Sequence, residues 1–84
     1  MNTYKLVEEV INEWDPINLL PLAPRDEYKL EILKIVNLLQ EINSTQELGR
    51  GIYQIFVRCF DDMFKRSEKD CLLIAERIIA KLHT

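Results

Sequence analysis

Glycine is nearly missing from this chain: two in 84 residues, Gly49 and Gly51, both inside "LGRGIY". A dinucleotide-binding turn needs a third glycine and a preceding strand, so that chemistry is excluded. Histidine occurs once, at the penultimate position His83. Neither a histidine-based nucleophile triad nor the paired Glu-x-x-His metal sites of helical bundles can be assembled from it. No loop alternates oxygen ligands in the manner of a calcium site, and no cofactor or metal is expected. Two cysteines without a basic-apolar leader read as reduced thiols in a cytoplasmic protein. No apolar run approaches the roughly 18 residues of a membrane span. An excess of basic charge is also lacking: 14 acidic against 11 basic residues give a net charge of -3. Nucleic-acid binding draws on a basic surface that displaces counterions, and none is expected here.

What remains is an ordinary globular composition, 48% hydrophobic and 30% charged, on a chain of a length that holds one core. A single domain over residues 1–84 is predicted. Charge is uneven, with net -4 in residues 1–42 and net +1 in residues 43–84.

Apolar residues recur at helical spacing in four segments, and no segment alternates like a strand. The first runs from Thr3 to Trp14 with Val7, Val10, Ile11 and Trp14 on one face, and stops because Asp15 precedes Pro16. The second is predicted from Asp26 to Gln40. Tyr28, Ile32, Ile35, Val36 and Leu39 form its main apolar face, widened by Leu30, Leu33 and Leu38. The third is predicted from Thr45 to Lys65, with Leu48, Ile52, Ile55, Phe56, Cys59, Phe60 and Met63 inward. The fourth spans Glu68 to Leu82 and buries Cys71, Ile74, Ala75, Ile78 and Leu82. Ser44 with Glu47 and Ser67 with Asp70 have capping-box spacing. Short connections favour antiparallel neighbours. The expectation is an all-α, compact four-helix bundle-like domain.

All three prolines fall in residues 16–24, between helices one and two. Asp15-Pro16 reads as an N-cap followed by a first helical residue, so one short helical turn fits "DPINLL". "LPLAP" must be extended and stiff. This Pro-rich loop either seals the bundle or presents a surface. Around it cluster Trp14, Asp15, Asp26, Glu27, Tyr28 and Glu31, the candidate binding residues. A capped helix start with a solvated acidic face explains the carboxylates without any activity. General acid–base work would need one of them desolvated.

Arg50, held between Gly49 and Gly51, is a further candidate, for an anion. The plainer reading of the two glycines is close approach of a neighbouring helix or loop. Cys59 and Cys71 sit on apolar faces and read as core residues. A redox pair is the alternative, with Cys71 in a first helical turn where the dipole lowers a thiol pKa. No catalytic residue is assigned.

"WDPINLLPLAPRDEYKLEI", "STQELGRGIYQIF" and "KDCLLIAERII" together resemble the DUF1871, or YugE-like, family of small helical bacterial proteins of unknown function. The resemblance covers nearly the whole chain. It implies an all-helical cytoplasmic protein and no catalytic residues. Two departures from the family pattern are Lys29, where it implies an acid after the tyrosine, and Asp61, where it implies a glycine after Phe60. Segments of the form "DP…DEY" are also similar to those of bacterial immunity proteins, which bind and neutralise toxins. A non-catalytic protein-binding module, immunity-like and acting through the acidic loop and helix-two start, is therefore the first functional reading. The alternative is a small-ligand binder or enzyme built on residues 15–28 and the Gly49–Gly51 region. Monomer and homodimer both fit.

Overall fold

Four helices account for most of the residues that the computed structural model describes, namely 2–18 and 27–83. They are α1 (Thr3–Trp14), α2 (Lys29–Leu39), α3 (Thr45–Phe60) and α4 (Glu68–Leu82), with a 3₁₀ turn at Asp61–Met63. No strand occurs among the described residues. Each helix packs on its two sequence neighbours, and α4 returns to α1 to close the ring. The Glu9–Lys81 and Glu13–Arg77 ion pairs show α1 and α4 running antiparallel. Leu38 over Gly51 and Lys34 over Cys59 show the same for α2 and α3. The predicted all-α bundle-like domain is what the chain forms.

Local chemistry explains the helix starts. Asn2 caps α1, its Oδ1 accepting from the Tyr4 amide at 2.8 Å. Ser67 and Asp70 form a full capping box on α4: the Asp70 amide donates to Ser67 Oγ at 3.1 Å, and the Ser67 amide to Asp70 Oδ2 at 3.2 Å. At α3 the box is displaced by one residue. Ser44 Oγ takes the Glu47 amide, but the Glu47 carboxylate reaches the Asn43 amide at 3.3 Å.

Three boundaries differ from the sequence expectation. Asp15 caps the C-terminus of α1 and does not start a helical turn: its φ of 45° is left-handed, and its amide donates to Ile11 O at 2.8 Å. A hydrogen-bonded turn from Asp15 to Asn18 follows; the extended "LPLAP" and the fate of the loop as seal or surface lie outside the described residues. Glu27 and Tyr28 are still in a turn, so α2 begins at Lys29. Finally, α3 ends at Phe60, five residues before the predicted Lys65, because Asp61 adopts φ 51° and ψ -123°.

The core is aliphatic along the bundle and aromatic at one end. Leu6, Val7, Val10 and Ile11 of α1 meet Ile32 and Ile35 of α2, Leu48 and Ile52 of α3, and Ile74, Ala75 and Ile78 of α4. Six of the seven aromatic rings gather where α1 and α3 end. Phe56 is their hub: it stacks on Phe60 and Phe64, with centroids 5.9 and 5.3 Å away, and takes Trp14 and Tyr28 edge-on at 5.6 and 6.0 Å. Leu30 and Leu33, expected to widen the buried face of α2, point to solvent instead. Cys59 and Met63 are also exposed, and Ile55 is half-buried.

Candidate functional site

The residues singled out around the proline loop do not share one environment. Tyr28 is fully buried; it donates its hydroxyl to Asp15 Oδ1 at 2.5 Å and accepts the Ile17 amide at 3.2 Å. Asp15 is half-buried by this contact. Trp14 lies edge-on to Phe56 and Phe64. Glu27 is exposed, and Asp26 lies outside the described residues. Glu31, read as a solvated acid, is only 5% exposed. Arg50 is exposed in a different depression, beside Gly49, Glu68, Lys69 and Leu72, apart from the Asp15–Tyr28 group.

Glu31 is buried because α3 lies over it. The Cys59 thiol of α3 lies near its carboxylate, and the Lys34 ammonium donates to the Cys59 sulfur at 3.6 Å. Partial desolvation, followed by the hydrogen bond and charge of Glu31, raises the Cys59 pKa; Lys34 acts in the opposite sense and loses. Among the described residues, Glu31 Oε1 has no hydrogen-bond partner. Cys59 is therefore a surface thiol held protonated, not the core residue its position on an apolar stripe suggests.

Cys71 is buried as expected, but its pKa moves against the helix-dipole expectation. Burial pushes it up to about 12, helped by the charges of Asp70 and Glu68. Desolvation outweighs the dipole of α4 here. Both cysteines are free thiols.

The glycines mark two close approaches. A Cβ on Gly49 would lie 3.0 Å from the Leu72 Cα, so α3 and α4 touch there backbone to backbone. A Cβ on Gly51 would collide with the end of the Leu38 side chain, which lies flat across the bare glycine. Close helix approach, the plainer of the two sequence readings, thus accounts for Gly49.

Leu38 over Gly51 also forms the floor of a groove of about 370 Å³ between α2 and α3. Lys34, Asn37, Leu38 and Glu41 line one wall; Gly51, Gln54, Ile55 and Arg58 line the other. Gly51, Ile55 and Arg58 have i, i+4, i+7 spacing on one face of α3, whereas Lys34 and Leu38 are one turn apart on α2 and Glu41 lies in the turn past its end. Because the helices are antiparallel, Lys34 and Arg58 share one end while Glu41 lies at the other. Apart from Gly51, this groove was not found from sequence. It depends on the register of α2 against α3, which periodicity alone does not supply.

Among the described residues no group of three metal-ligating side chains exists, and no helix is long and apolar enough to cross a membrane. The family described as Domain of unknown function (DUF1871) matches residues 5–82. The chain belongs to that family. No curated protein matches this DUF1871 chain, and no solved structure does.

Proposed function

We propose that this DUF1871 chain is a non-catalytic protein-binding module that meets its partner with α2 and the adjoining groove. The supporting observation is the pair of large aliphatic side chains on the outer face of α2, Leu30 at 66% and Leu33 at 41% exposure. They adjoin the wall formed by Lys34, Leu38 and Glu41, so an apolar lip continues into an apolar floor. Covering exposed aliphatic surface contributes about 25 cal/mol per Å², and apolar surface beside a cleft is where partners dock. The acidic loop is the weaker surface. Asp15 and Tyr28 are engaged with each other and Glu31 is buried, which leaves Glu27 as the exposed acid of the described group.

Affinity capture from the native host, at low and moderate salt, tests this with two variants. A partner retained by Glu27→Lys and lost with Leu30→Ser/Leu33→Ser supports α2 as the surface. Loss with Glu27→Lys alone returns the surface to the acidic loop. Recovery of no partner overturns the binding reading.

A small-ligand reading draws on the groove volume, which lies at the lower end of the 300–1,000 Å³ typical of ligand pockets. Stabilisation by a metabolite in a thermal-shift screen, abolished by Gly51→Leu, would favour it.

A further inference from the structure

Along α2 the residues Leu30, Lys34 and Leu38 follow one another one turn apart, and Glu41 lies in the turn just past the end of the helix. They present an apolar, a basic, an apolar and an acidic group in that order. Across the groove, Arg58 strengthens the basic end, and Leu38 lies over Gly51 as the floor. Among the described residues neither Lys34 nor Arg58 is paired with a carboxylate. The Glu13–Arg77 and Glu9–Lys81 ion pairs are on the α1–α4 seam. Glu31 is buried and is not part of the groove lining.

Resting on the binding-module reading, we infer that the groove takes one helix of a partner protein, with its charges in fixed order. Lys34 and Glu41 are seven residues apart, at opposite ends of the groove. The occupant that matches both ends carries an acid and, two turns on, a base. An aliphatic residue between them lies on Leu38 and Ile55, and a further aliphatic beyond the acid reaches Leu30. Side-chain rows of one helix fit the trough between two others in this way, and an i, i+3/i+4, i+7 pattern is how grooves recognise single helices. The opposite charges at the two ends set the direction of the docked helix, because reversing it sets like charges against each other at both ends.

The test uses the full chain and a displayed library of single-helix scaffolds randomised on one face. The expected result is enrichment of binders carrying an acid and a base seven residues apart with an aliphatic residue between. These binders should weaken about tenfold or more against the charge-swapped chain Lys34→Glu/Arg58→Glu/Glu41→Lys, since like-charge juxtaposition is strongly unfavourable. Selection against the swapped chain should return the reversed order. A thermal melt confirms that the swapped chain is folded; should it not be, Lys34→Ala and Arg58→Ala taken singly serve the same comparison. Failure to enrich any helical binder, or binders indifferent to the charge changes, overturns the inference. A natural partner lost with Leu30→Ser/Leu33→Ser but unaffected by the charge swap leaves the module reading in place and removes only the helix-in-groove occupant.

Discussion

Tyr28 and Asp15 close a thirteen-residue span with one hydrogen bond: the tyrosine hydroxyl donates to the aspartate at 2.5 Å. The same hydroxyl accepts the Ile17 amide, so one buried oxygen satisfies both ends of the turn after α1. The Trp-Asp-Pro and Asp-Glu-Tyr pieces of the sequence are thus two halves of one structural device. Asp15 holds a left-handed conformation, Pro16 is buried behind it, and the Tyr28 ring packs on Phe56 and Phe60.

Tyr28→Phe keeps those ring contacts and removes only the hydroxyl. A hydrogen bond to a charged acceptor contributes about 1.5–3 kcal/mol, and a loss in that range is expected in chemical denaturation. Asp15→Asn keeps a side chain that tolerates φ 45° while removing the charge. The double variant should lose less than the sum of the two, since both remove the same bond. Additive losses would show that the hydroxyl and carboxylate act independently.

Phe56 and Ile55 are adjacent in α3 but stand in different places. Phe56 is fully buried and touches four aromatic rings. Phe56→Ala is expected to cost about 3–5 kcal/mol, enough to unfold a domain whose total stability is of order 5–15 kcal/mol. Ile55 is a half-buried groove residue. Its truncation should cost roughly half as much or less, below the range for a fully buried isoleucine. Equal losses, measured by thermal melts, would place Ile55 in the core and remove it from the groove floor.

The helices were legible where an unambiguous stop or cap was encoded. Pro16 ends α1, and the Ser67–Asp70 box starts α4, so both helices have their predicted bounds. The end of α3 was not legible, because the backbone of Asp61 leaves the helix while the apolar pattern continues to Met63. On α2, hydrophobicity overstated burial. Leu30 and Leu33 are apolar yet exposed, whereas Glu31 is polar and buried. Which side of a helix meets which partner is decided by packing register, and the groove and the Glu31–Cys59–Lys34 contact both depend on it.

Asp61 is the clearest site of stored strain. Its φ of 51° with ψ -123° is a region that glycine adopts freely and other residues occupy at a cost of about 1–3 kcal/mol. Asp61→Gly is therefore expected to stabilise the protein, raising its melting temperature by several degrees. Because glycine also frees the unfolded chain, the gain should fall at the low end of that range. A lower melting temperature would mean that the Asp61 side chain contributes more than its backbone costs.

The two thiols should separate cleanly under alkaline conditions. Cys71 titrates at about 12 in the folded protein and near 8.5 when unfolded. The raised folded value means that the native state holds the neutral thiol and resists ionisation. Its stabilising contribution is complete below about pH 8.5 and is lost as pH rises towards 12, at a slope approaching 1.4 kcal/mol per pH unit. Cys71→Ala should lower stability at neutral pH by leaving a small void, yet flatten that alkaline limb. A limb equally steep in the variant would assign it to other groups. Cys59, in contrast, is accessible and should be the thiol that reacts with an alkylating reagent in the native state. Glu31→Gln removes the charge that helps raise its pKa, so alkylation at pH 8 should quicken; Lys34→Ala removes the opposing cation and should slow it. Rates unchanged in both variants would show that desolvation alone sets the reactivity of this thiol.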